Sequence, residues 1–223
     1  MNNLFLISNY LKIYKKLFSD EIIIPQLDVL INEQSNFINE KDILIPYECI
    51  LNNCEKCQSS DSNNNFFFGS GDANSSLLIV DEAPALKISP EGIPFLGKGG
   101  KLLDKILQAL GLSRNKGVFI VNILKCEPPK NRDPLPSEIE KYIPYLNRQI
   151  NIIEPKIILA LGKVAGKSLI RKDRSLQEMR NKTYDYNGIP LIITYHPQTL
   201  LSNQNLKKLV WDDFKRVKNQ IEN

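Results

Sequence analysis

Four short apolar runs, at 77–80, 118–121, 157–160 and 190–194, constrain this chain more than any other feature. The first three read LLIV, VFIV and IILA, continuous rather than alternating, which is the pattern of strands buried on both faces. Stretches of helical periodicity separate and follow them, at roughly 100–110, 137–152, 162–170 and 204–221. Apolar strands alternating with helices build a parallel sheet covered on both sides. The predicted fold is therefore α/β, a three-layer α/β/α sandwich with a mainly parallel four-stranded central sheet. A further strand is predicted over 183–186, joined to the fourth run by the tight-turn pair Asn187-Gly188. Ahead of the sheet, 52–75 is rich in Asn, Ser, Asp and Gly and reads as loop. Residues 1–48 read as two helices, roughly 3–18 and 26–38, with Leu4, Ile7, Leu11, Tyr14 and Phe18 forming one apolar stripe. The chain thus divides into an N-terminal helical extension, 1–48, and one larger domain, 49–223.

At 223 residues there is room for one well-packed domain with some surplus. Hydrophobic residues at 42% and charged residues at 24% exclude disorder and fibrous repeats for the chain as a whole. A net charge of +4 permits a nucleic-acid partner without arguing for one. No apolar run approaches the ~20 residues that span a bilayer, and the start of the chain has neither the charged nor the long apolar region of an export signal. A cytoplasmic location and no membrane partner are the expectation. Thiols stay reduced there, so Cys49, Cys54, Cys57 and Cys126 point to metal or redox work more than to disulfides.

In sheets of this kind ligands bind at the carboxyl ends of the strands. The first run ends in Asp81-Glu82-Ala83-Pro84-Ala85, the second in Asn122 with Cys126 four residues on, and the fourth in Tyr195-His196-Pro197. Singly these are ordinary turn and cap residues; together at one rim they make a candidate site. Phe95 lies in Gly92-Ile93-Pro94-Phe95-Leu96-Gly97-Lys98-Gly99-Gly100, where it is either a core aromatic or a flat face for a planar ligand. The glycine spacing matches neither the dinucleotide fingerprint nor the P-loop, which excludes a Rossmann dehydrogenase and a P-loop NTPase.

The segments DEAPA, GIPFLGKGGKLLDKIL, VFIVNILKCEPPKNRDPLPSEI, PYLNRQINIIEPKIILALGKVA and PLIITYHPQTLL, in that order, resemble the family 4 uracil-DNA glycosylases, the iron–sulfur type. The resemblance covers about 54–218 and leaves 1–48 mostly outside. It implies a DNA-repair glycosylase that extrudes uracil from DNA and hydrolyses its N-glycosidic bond, acting as a monomer and without a cofactor for the chemistry. By motif position Asn122 resembles the residue that pairs with the uracil edge. Phe95 resembles the one that stacks on the base, and His196 the donor to uracil O2. Glu82 resembles the acidic residue of the first motif, which orients water or balances charge on the sugar. Asp81, Ala83, Pro84 and Ala85 would complete the wall around the base. Leu200 and Leu201 follow the HP motif, where related enzymes push an apolar wedge into the vacated stack; ordinary packing beneath the loop is the alternative. Lys98, Lys101, Lys125, Lys130 and Arg132 flank the expected pocket and are candidates for phosphate contact.

The resemblance also implies a structural [4Fe–4S] cluster. Cys54, Cys57 and Cys126 match three of its ligands, and Tyr142 occupies the position of the fourth. Cys49 is the spare thiol that could complete the set; zinc, or a remnant without metal, are the alternatives. Asp81 and Ala85 stand where the family usually has glycines. These departures leave two further readings open: a non-catalytic descendant that binds DNA or a repair partner, and a glycosylase for a different damaged base.

Overall fold

The computed structural model describes residues 67–84, 95, 97–128 and 132–222. They belong to the second of the two units into which the chain divides, Met1–Asn53 and Cys54–Asn223. The predicted helices of the extension, and Cys49, Cys54, Cys57, Ala85 and Lys130, lie outside the described residues.

The four apolar runs are strands: β2 (Leu77–Asp81), β3 (Val118–Asn122), β4 (Ile157–Leu161) and β6 (Ile189–Thr194). They pair in parallel in the order β3-β2-β4-β6. Among the described residues the sheet has six strands, the four expected parallel ones forming its centre. An antiparallel strand closes each edge: β1 (Ser70–Gly71) against β3, and β5 (Thr183–Tyr186) against β6. β1 is two residues long inside a stretch that reads as loop, so it leaves no periodic trace in the sequence. The β5–β6 hairpin turns on Asn187 and Gly188, both at positive φ, 53° and 85°, as a two-residue turn between twisted strands requires.

Helices α1 (Lys98–Ala109), α2 (Pro136–Ile153), α3 (Gly162–Ile170), α4 (Leu176–Met179), α5 (Pro197–Ser202) and α6 (Lys207–Glu222) complete the described fold. Alternate strand residues serve opposite faces. Leu77, Ile79, Val118, Ile120, Leu159 and Ile192 form one core with Leu103 and Leu107 of α1 and Val210, Phe214 and Val217 of α6. Those spacings of three and four residues are what give each helix one apolar stripe. On the other face Gly166 of α3 meets Ile193, where a Cβ would come within 2.8 Å of Ile193 Cγ2. Two helices sequence periodicity does not announce, α4 and α5, are too short to carry a stripe. Residues 204–206, expected to open the last helix, form a separate 3₁₀ turn.

Candidate functional site

Parallel register puts Asp81 opposite Asn122 at the carboxyl ends of β2 and β3. The two chains stay joined one step beyond the strands, since Ile123 N–H donates to Asp81 O at 2.8 Å and Leu124 N–H to Glu82 O at 2.9 Å. β6 ends at Thr194, and His196 follows at the same rim as the N-cap of α5. Its Nε2 lies 3.5 Å from Asp81 Oδ1. The predicted strand-end residues therefore meet.

The imidazole is oriented from both sides. Gln198 N–H donates to its Nδ1 at 3.0 Å. A nitrogen that accepts a backbone N–H carries no proton of its own, so the neutral ring bears its proton on Nε2, facing Asp81. Burial pulls the His196 pKa down, but contact with Asp81 and the charges of Asp81 and Glu82 outweigh it, and the value is raised above 6.5. Glu82 is pushed up to about 7, first by burial and then by the negative charges of Asp81 and Asp133. Glu82 is thus a carboxyl group poised to exchange its proton near neutrality.

Phe95 stacks on His196, with ring centroids 5.3 Å apart and planes at 26°. Its backbone sits at φ 58°, an uncommon conformation for an aromatic residue. The surrounding residues enforce it. Arg114 Nη2 donates to Phe95 O at 2.8 Å, while Arg114 Nε pairs with Asp104 at 2.6 Å. A Cβ on Gly100 would fall 1.5 Å from Phe95 O, so only glycine allows the first turn of α1 to tuck beneath this residue. A Cβ on Gly99 would meet Gln198 Oε1 at 2.8 Å. The glycine pair thus brings α1, Phe95 and the start of α5 together.

Asn122 is buried, and its Oδ1 has no hydrogen-bond partner among the described residues. A buried acceptor left unpaired costs free energy unless a ligand supplies the donor. Its backbone carbonyl, by contrast, is pinned: Lys125 Nζ donates to Asn122 O at 2.8 Å and to Gln149 Oε1 at 2.6 Å, and Gln149 Nε2 donates to Phe68 O at 2.7 Å. Burial pulls the Lys125 pKa down to about 7. This corrects the expectation that Lys125 contacts phosphate. Its side chain is wholly enclosed and points inward, where it supports Asn122. Lys125 and Gln149 form a device that sequence reasoning missed, because a lysine in a loop and a glutamine on a helix give no sign of each other.

The other predicted contacts separate. Lys98 and Lys101 are exposed on the first turn of α1, beside Phe95. Arg132 is exposed, but its guanidinium grips Glu138 through two bonds of 2.8 Å. Leu201 is 39% exposed whereas Leu200 is 1% exposed and part of the core. Leu201 is the exposed member of the pair, and Leu200 is corrected to a packing residue. Ala83 and Pro84 continue the chain from Glu82, with Pro84 buried. Cys126 is buried, and Tyr142 O–H, on α2, donates to its Sγ at 3.6 Å.

A model of the uracil DNA glycosylase superfamily matches residues 68–215. A type-4 uracil-DNA glycosylase of Sulfurisphaera tokodaii is 41% identical over 74% of this chain and 79% of the relative. One from Saccharolobus solfataricus is 38% identical over 75% and 82%. One from Archaeoglobus fulgidus is 34% identical over 74% and 86%.

Proposed function

Because the chain belongs to the uracil DNA glycosylase superfamily, we propose that it is a type-4 uracil-DNA glycosylase, a repair enzyme that hydrolyses the N-glycosidic bond of uracil in DNA and leaves an abasic site. The observation that carries this is the unpartnered Oδ1 of Asn122, a buried acceptor at the sheet rim it shares with Asp81, Glu82 and His196. Uracil N3–H is a donor that fits it, and the Asn122 amide donates in turn to O4. Cytosine presents the opposite pattern at both positions, which is the basis of discrimination. Reading a base in this way requires its extrusion from the duplex.

As the C1′–N1 bond breaks, its electron pair leaves with uracil and negative charge collects on O2. The Nε2–H of His196, fixed by Gln198, donates there in place of its contact with Asp81. One donor aimed at developing charge is worth roughly 10²–10³ in rate. A water adds to C1′, and its proton passes to the Glu82 carboxylate. Phe95 offers its face to the base. Lys98 and Lys101 meet phosphate, joined by Lys130, while Arg132 contributes as part of its Glu138 pair. Leu201 fills the space left by the base.

For the metal, the fit rests on the donors. Cys126 is buried at the end of the Asn122 loop, and although it stands in a disulfide here its sulfur, once reduced, is of the soft ligand type that iron–sulfur clusters take. We assign Cys54, Cys57 and Cys126 to a structural [4Fe–4S] cluster, with Cys49 as fourth ligand. Tyr142 faces Cys126 as a hydrogen-bond donor, and a phenol is a poor substitute for a thiolate. Among the described residues no helix is long and apolar enough to cross a membrane. A monomer in the cytoplasm, where thiols remain reduced, completes the reading.

The test is uracil excision from single- and double-stranded oligonucleotides under single turnover. Release of uracil but not cytosine, lost in Asn122→Ala, is expected. Tight DNA binding without release of any base would instead identify a non-catalytic descendant.

A further inference from the structure

Immediately before His196 the chain is gripped by a buried ion pair that the chemistry above does not use. Arg180, just after α4, is 4% exposed, and Asp213 of α6 is 1% exposed. Arg180 Nε donates to Asp213 Oδ2 at 2.9 Å, and its Nη2 lies 2.8 Å from the same oxygen. Thr194, the last residue of β6, donates its Oγ1–H to that oxygen at 2.6 Å. Arg180 Nη2 also donates to Leu209 O at 2.9 Å. Its guanidinium carbon stands 4.9 Å from the ring centre of Tyr195. One arginine thus holds both residues that precede His196, Thr194 through a shared carboxylate and Tyr195 through its face.

We propose that Arg180 is a positioning residue for uracil excision, acting with Asp213 through Thr194 and Tyr195 to set where His196 stands at the rim. The inference rests on the role given to His196 above. Ordinary packing would secure α6 to β6 with apolar side chains, and a buried ion pair is seldom the more stable choice. What the pair adds is direction. The planar fork fixes the carboxylate in one orientation and at the same time offers a flat cation to an aromatic ring, which an ammonium cannot do together. The carboxylate in turn fixes Thr194, so the chain leaves the sheet at a defined angle. Asp213 Oδ1 makes no hydrogen bond among the described residues and lies 3.9 Å from Arg216 Nη1, so the hydrogen bonding of this carboxylate is concentrated on the oxygen that faces Thr194.

Arg180→Lys keeps the charge and loses the fork and the stacking face. Measured on uracil-containing duplex with the chain purified anaerobically, the single-turnover excision rate should fall roughly tenfold to a hundredfold, the cost of a small misplacement of a catalytic group. DNA affinity should stay at the wild-type value. The deciding measurement is the same substitution in a His196→Ala background, where no further loss of rate is expected, because the group being positioned is gone. An equal drop in both backgrounds would overturn the proposal, as would Arg180→Lys excising at the wild-type rate. If Arg180→Lys does not fold, the paired change Arg180→Met with Asp213→Leu removes both charges together and keeps the interior filled. It should reproduce the His196-dependent loss, and wild-type excision by that variant would equally overturn the proposal. Absence of excision by the wild-type chain would instead defeat the glycosylase reading itself.

Discussion

Asp81 and Glu82 are adjacent in sequence, yet their environments give them different work. Asp81 faces His196, while Glu82 is held at about pH 7 by burial and by the charge of Asp81. If the Glu82 carboxylate receives the proton of water, excision should rise as pH climbs through about 7. Asp81→Asn removes one of the charges that raise Glu82 and should move that limb to lower pH. A rate profile indifferent to pH across this range would remove Glu82 from the proton transfer. The linkage to folding has the opposite sense. A folded value above the unfolded one means that deprotonation costs stability, so stability should decline between about pH 4.5 and 7 in wild type and not in Glu82→Gln. His196→Ala should slow excision by roughly 10²–10³ while leaving DNA affinity intact, and an unchanged rate would end its role as donor. Lys125→Met keeps the length of the side chain and strips two buried hydrogen bonds. A loss of about 1–3 kcal/mol in urea unfolding is expected, with weaker uracil discrimination as Asn122 loosens. The strand-end polar residues were legible in the sequence because each follows an unbroken apolar run. The inward turn of Lys125 was not, since a lysine beside Pro and Lys residues reads as surface until the fold encloses it.

At the scale of elements, α5 shows how one short helix divides neighbouring side chains between core and surface. Its start is marked by Pro197 at the first helical position, with His196 as cap. Leu200 turns inward and Leu201 outward. Leu200→Ala should therefore destabilise the domain by roughly 2–5 kcal/mol, read as a lowered unfolding midpoint. Leu201→Ala should leave that midpoint in place and slow excision from duplex more than from single strands, where no stack has to be filled. Equal effects on the two substrates would argue against a wedge. The pair Leu200-Leu201 could not be resolved from sequence alone, because six residues do not establish a period. By contrast, α1 and α6 were legible because their stripes run over three turns or more. The parallel strands were legible from composition alone, and β1 was not, having only two residues.

For the whole molecule, a charge of +4 is modest, and what matters is where it gathers. Lys98 and Lys101 project from the helix that carries Phe95's support, so the proposed phosphate contacts and the proposed base contact would share one element. Affinity for duplex DNA should fall steeply with salt, and each lysine replaced by alanine should reduce the log–log slope by about one. A slope unaffected by both changes would move the DNA face elsewhere. Iron, sulfide and zinc analysis after anaerobic purification tests the cluster, and full iron content in Cys49→Ser would eliminate Cys49 as a ligand. The strand order has a consequence of another kind. β2 is the earliest of the parallel strands in the chain, yet it lies inside the sheet, and β6, the last, carries the chain to His196. The rim is thus assembled from segments distant in sequence, and parallel pairings of such segments form slowly because loop closure precedes the contacts that reward it. No nascent chain shorter than about the whole sheet can possess the site. On dilution from denaturant, recovery of base release should coincide with the docking of β6 and trail the earlier return of helical signal, so the catalyst comes into being only at the end of its own folding.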